Sequence, residues 1–107
     1  TATLSQSFTI SGPYGIDVSS DGRTIYATLQ STSSVAPGGG RMIRSISMTS
    51  PHDLSTATLS TTEWMPLYGL TGANTTPFAI RVSKDRARMF LLSDVVSGLY
   101  QFSLRFA

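Results

Sequence analysis

No cysteine occurs in this sequence, so neither a disulfide framework nor thiol chemistry is available to it. Histidine and tryptophan appear once each, and Glu63 is the lone glutamate. A zinc centre needs several His or Cys ligands, and this supply is too small for one. Charge is scarce as well. Charged residues make up 13% of the chain, about half of the usual ~25%. The net charge of +2 reflects seven Arg and one Lys against five Asp and one Glu, not a basic face. The densest basic run, Arg81–Arg88, is interrupted by Asp85. Nucleic-acid binding needs clustered Lys and Arg, so no nucleic-acid partner is expected. No apolar stretch approaches the ~18 residues of a membrane-spanning helix, so no membrane insertion is expected. Nor do the first residues, TATLSQSFTI, have the basic and apolar regions of a secretory leader.

What is present is Ser, Thr and β-branched residues in a pattern that repeats. Thr1-Ala2-Thr3-Leu4 recurs as Thr56-Ala57-Thr58-Leu59. The longer stretch PYGIDVSSDGRTIYATL (13–29) aligns with PFAIRVSKDRARMFLLS (77–93). Pro13 meets Pro77, Ile16 meets Ile80, Val18 meets Val82, Ser19 meets Ser83 and Asp21 meets Asp85. A weaker match pairs Ile46 with Phe102 and Met48 with Leu104. The unit is about 50 to 60 residues long and occurs about twice, the signature of a repeat architecture.

Each unit reads as short strands. Tyr14, Ile16 and Val18 alternate with Gly15, Asp17 and Ser19, the period of a strand. Asp21-Gly22 follows, a tight-hairpin signal whose two central residues are expected at positive φ. Thr24–Leu29 is apolar on both faces, and so is its counterpart Met89–Leu92. Such strands lie in sheets covered on both sides. Strands are also expected over Arg41–Met48 and from Ala57 to about Met65. A β-sandwich has similar short strands and Ser/Thr-rich turns. The repeat and the two-sided strands favour stacked four-stranded antiparallel meanders.

Pro13, Gly15, Ile16, Val18, Ser19, Asp21, Gly22, Ile25 and Tyr26, followed by Thr49–Leu59 (TSPHDLSTATL), resemble the β-propeller repeats of many bacterial and phage surface proteins. The match spans nearly the whole chain, twice, and its second copy is degraded. His52 stands where that family usually has Trp, and Arg86 stands where the first copy has Gly22. Arg86 therefore implies either a different turn or a strained positive φ. The resemblance implies an all-β fold of about two blades. Residues 1–12 would be an outer strand, 13–65 a first blade, 66–76 an insert, and 77–107 a second blade lacking its outer strand. It implies an extracellular or virion-surface location. It also implies either the remaining blades of a longer propeller or a homo-oligomer formed by head-to-tail strand exchange. With two blades per chain, a trimer of about six blades is the simplest ring.

Fold alone does not give function. His52 and Asp53 are adjacent and point to opposite faces of an extended chain, so they do not begin a triad. Asp21 and Asp85 are hairpin residues, and Asp53 fits an Asx turn. His52, Glu63 and Asp94 are expected to carry no catalysis, and no cofactor or metal is implied. APGGGR (36–41) lacks both the spacing and the helix of a phosphate loop. Asp17 and its counterpart Arg81 would line the centre of a ring as alternating charges. A possible surface glycan would need aromatic platforms, for which Trp64, Tyr68 and Tyr14 are the candidates. The expected function is a non-enzymatic structural or adhesive module. The alternative is a lectin binding glycans in inter-blade clefts.

Overall fold

In a computed structural model of the chain, residues 2–10, 13–30, 41–66, 77–93 and 98–105 are described. The described residues form seven strands and one short 3-10 turn. β1 (Pro13–Val18), β2 (Thr24–Gln30), β3 (Arg41–Met48) and β4 (Ala57–Pro66) make an antiparallel sheet in sequence order. β5 (Pro77–Val82), β6 (Arg88–Ser93) and β7 (Gly98–Ser103) make a second, also in sequence order. The chain is all-β, and its two sheets are consecutive meanders. The segment 94–97 and the insert residues 67–76 lie outside the described residues.

The sequence repeat is a structural repeat at atomic detail. Pro13 and Pro77 each open an edge strand, where a missing N–H costs no ladder bond. A register irregularity follows both, at Pro13/Ile16 and at Pro77/Ala79. In the first hairpin, Ser19 N donates to the Thr24 carbonyl and Gly22 N to the Ser19 carbonyl. Ser83 N to Arg88 O and Arg86 N to Ser83 O reproduce both bonds in the second. Asp21 Oδ1 accepts from Ser19 Oγ at 2.6 Å and from Arg23 N at 3.0 Å. Asp85 Oδ1 accepts from Ser83 Oγ and Ala87 N at the same distances.

The hairpin differs from the expected tight turn. Gly22 has a φ of +74°, but Asp21 is not at positive φ. The loop is longer than two residues, so a single left-handed residue reverses the chain. Arg86 takes the same place at a φ of +63°. The second copy thus keeps the turn and accepts the strained conformation, which costs a non-glycine residue roughly 1–2 kcal/mol.

Two apolar cores result. Tyr26 and Ile43 of the first sheet meet Ile80, Met89 and Leu91 of the second, with Leu104 alongside. On the opposite face of the first sheet, Ile25, Ala27, Leu29, Met42, Ile46 and Met48 form the other core. Phe8 and Ile10 pack against it, together with Leu54, Ala57 and Leu59. Residues 2–10 form no strand in this chain. They are placed by this packing and by Gln6, which donates to Asp53 Oδ1 and accepts from Leu54 N.

β2 is buried on both faces, as its sequence predicts. β6 is not, contrary to expectation. Met89 and Leu91 are fully buried, while Phe90 and Leu92 are 42% and 51% exposed. The alternation of a strand sends these two side chains to the face of the second sheet that points away from the first, and that face is open.

Candidate functional site: the cleft between the sheets

The two sheets meet along β1 and β5, the first strand of each. Antiparallel pairing sets which residues share a face. Asp17 lies opposite Tyr26 and points to the second sheet, whereas Ile16 and Val18 lie opposite Ala27 and Ile25 and point away. In the second sheet Val82 lies opposite Met89 and points toward the first sheet, whereas Arg81 lies opposite Phe90.

Asp17 is the tie between the sheets. Its Oδ2 accepts from Val82 N at 2.7 Å, and its Oδ1 accepts from its own Val18 N at 2.9 Å. A half-buried carboxylate bonded to backbone N–H groups at both oxygens is held in position. Beside it opens a cleft of about 770 Å³, lined by Asp17, Ser19 and Asp21 from one side and Arg81, Ser83 and Lys84 from the other. The second hairpin also sends Arg86 over the Tyr26 ring, with its guanidinium carbon 5.6 Å from the ring centroid. That cation–π contact crosses between the sheets.

The carboxylates around this cleft have structural partners. The Ser19 hydroxyl and the Arg23 N–H hold Asp21 below the ordinary carboxylate range. Ser83 and the Ala87 N–H do the same for Asp85. Asp53, bonded first by the Ser55 hydroxyl and then by Gln6, is lowered too. It caps the 3-10 turn Leu54–Thr56 by accepting from Ser55 N, the Asx role its sequence indicates.

His52 sits at the exposed corner before this turn, at a φ of +57°. Its N–H donates to the Gly22 carbonyl, and its ring covers the Gly22 Cα. A Cβ on Gly22 would come within 2.3 Å of that ring. The residues are thirty positions apart, so sequence inspection of either one misses the contact.

Of the residues expected to act, Asp17 and Arg81 line one cleft. Tyr14 is half-buried toward the other end of β1. Tyr68, Asp94 and residues 36–40 of the glycine-rich loop lie outside the described residues, as do the side chains of Trp64 and Glu63, whose backbones belong to β4. The aromatic platform of Trp64, Tyr68 and Tyr14 therefore has only Tyr14 in view. Sequence reasoning overlooked Arg86 on Tyr26, because neither residue type marks a contact sixty positions away. Among the described residues, no group of three or more His, Cys, Asp or Glu is placed to hold a metal ion. No helix among them is long and apolar enough to cross a membrane.

Comparison with protein-family models, with curated proteins and with solved structures finds no match.

Proposed function

We propose that the two sheets are consecutive β-propeller blades and that the chain serves as a non-enzymatic structural or adhesive module of a virion or cell surface. The observation that carries this reading is the front-to-back stacking of two sheets that repeat one hairpin bond for bond. Repetition of one sheet with one facing is the stacking rule of a propeller, whereas a sandwich packs two sheets inner face to inner face. The acidic groups support the non-enzymatic part. Asp17 ties one sheet to the next, and Asp21 and Asp85 brace the two hairpins. A general base needs an oxygen free to reach substrate; both Asp17 oxygens are committed to the fold, and Oδ1 of Asp21 and of Asp85 is committed to its own hairpin.

Gold-labelled antibody against the chain, applied to intact particles or cells of its source, tests this reading. Label on the outer surface supports it. Label found only after lysis, or substrate turnover lost on Asp17→Asn, overturns it.

Glycan binding between the sheets is a second reading, favoured by the polar cleft with Tyr26 in its wall. A glycan array separates the two. A specific sugar retained by the chain and released by Lys84→Ala selects the lectin.

A further inference from the structure

The two walls of the cleft come from equivalent hairpins, and they differ in one direction only. Val18, Ser19 and Asp21 of the first wall recur as Val82, Ser83 and Asp85 of the second. The other positions of the segment 17–22 all change to cations. Asp17 is matched by Arg81, Ser20 by Lys84 and Gly22 by Arg86. All three cations line the same cleft.

Arg86 is the least expected of them. The turn requires a positive φ, which Gly22 supplies freely in the first hairpin and Arg86 takes at +63°. A disfavoured backbone conformation of this kind gathers at ligand clamps, where its surroundings hold it. Here it places a guanidinium over Tyr26, in the wall of the cleft.

The neighbouring carboxylates do not use up this charge. Both oxygens of Asp17 accept from backbone N–H groups. Arg23 favours the ionised form of Asp21, and Arg88 that of Asp85; neither arginine lines the cleft. Lys84 and Arg81 are exposed, and among the described residues their side chains make no ion pair or hydrogen bond. Across from them, Ser20, Thr24 and Asp21 line the first wall, side chains that bond hydroxyl groups. The volume of about 770 Å³ is that of a small-molecule site.

We propose that this cleft binds a hydroxylated oxyanion, a sugar acid or a sugar phosphate. Its charged group lies against Lys84, Arg81 and Arg86, and its hydroxyls lie toward Ser20, Thr24 and Asp21. This rests on the reading of the cleft as a sugar site and adds the charge of the sugar. Carboxylate and phosphate share the needed chemistry: an arginine fork gives either of them two parallel N–H bonds, and a lysine adds a point charge.

Glucuronate, a glucose phosphate, glucose and inorganic phosphate are each titrated into isotope-labelled chain at low salt, where exposed charges are least screened. The amides of Ser20, Thr24 and Lys84 should shift. At least one charged sugar should bind roughly tenfold or more tighter than glucose. Whichever charged sugar is tighter then identifies the carboxylate or the phosphate as the source. Joint Lys84→Gln and Arg81→Gln substitution should abolish the preference with an unchanged melting temperature, because both side chains are exposed. Lys84→Arg should keep it. Arg86→Gly, which restores the residue of the first hairpin, should weaken the charged sugars and spare glucose. Glucose bound as tightly as the charged sugars overturns the proposal and leaves the sugar reading standing. So does a preference that survives the joint substitution. Inorganic phosphate bound as tightly as the glucose phosphate means an adventitious ion only, and overturns it as well. Cleft amides unmoved by every probe overturn both the proposal and the sugar reading.

Discussion

The two sheets are built on the same hairpin, yet one is covered on both sides and the other on one. In the first, β2 lies between two cores, and even its Thr28 is fully buried, with its hydroxyl bonded to Gly15. In the second, β6 alternates between fully buried Met89 and Leu91 and open Phe90 and Leu92. The local sequence is no less apolar in β6, where Leu92 takes the place of Thr28. Burial is therefore decided by the neighbour, and the difference between the sheets is a difference of position in a stack.

Breaking that comparison should have its largest effect inside the shared core. Leu91→Ala removes a fully buried side chain and should cost about 2–5 kcal/mol in urea unfolding. Leu92→Ala, one residue along the same strand, should change the stability of the single chain by no more than about 0.5 kcal/mol. Equal losses at the two positions would mean that β6 is covered on both faces.

Next comes the tie between the sheets. Asp17→Ala leaves Val82 N without its carboxylate acceptor and should cost about 1.5–3 kcal/mol, the range for a hydrogen bond to a charged group. Arg81→Ala, at the equivalent position of the open face, should leave chemical unfolding of the dilute chain nearly unchanged.

The hairpins should respond unequally. Gly22→Ala places a Cβ against the His52 ring at a φ of +74° and should cost about 1–2 kcal/mol. His52→Ala in the same chain should recover the steric part of that loss, measured by a double-mutant cycle. Arg86→Gly relieves a φ of +63° but gives up the contact with Tyr26, worth about 0.5–1 kcal/mol, so its net effect should be small.

The smallest effect is that of acid. Asp21, Asp53 and Asp85 have depressed pKa values in the folded chain, so each stabilises the fold above the unfolded carboxylate pKa. That contribution is lost as pH falls below about 4 and through the lower folded values. Thermal melts should therefore drop below that pH. Replacing Asp21 and Asp85 together by Asn should flatten the acid limb, whereas an unchanged limb would remove these carboxylates from the account.

How much of this was legible follows the range of each interaction. The Ser-x-Asp hairpins are local, so the repeat and the strands over 41–48 and from Ala57 could be read from residue order. Arg86 posed a choice between a new turn and a strained one, which only backbone geometry decides. The Asp17–Val82 bond spans 65 positions, and no residue type announces it. Two-sided apolarity in Met89–Leu92 points to a strand covered on both faces, whereas Phe90 and Leu92 are exposed, because burial of the second face depends on a neighbour that residue order does not specify. Trp64 and Tyr68 drew attention as rare aromatics; neither side chain lies within the described residues, so the cleft is defined by other groups.

The front-to-back stacking of the sheets is tested most directly by methyl–methyl and methyl–aromatic NOEs. The labelled chain is diluted into an excess of unlabelled chain, so that only contacts within one molecule are seen. The account predicts NOEs from the Met89 and Leu91 methyls to Ile43 and the Tyr26 ring, and none from Leu92 to the first sheet. Intramolecular NOEs from Leu92 to Ile43 or Tyr26, with Leu91 silent, would show the second sheet facing the other way and contradict the account.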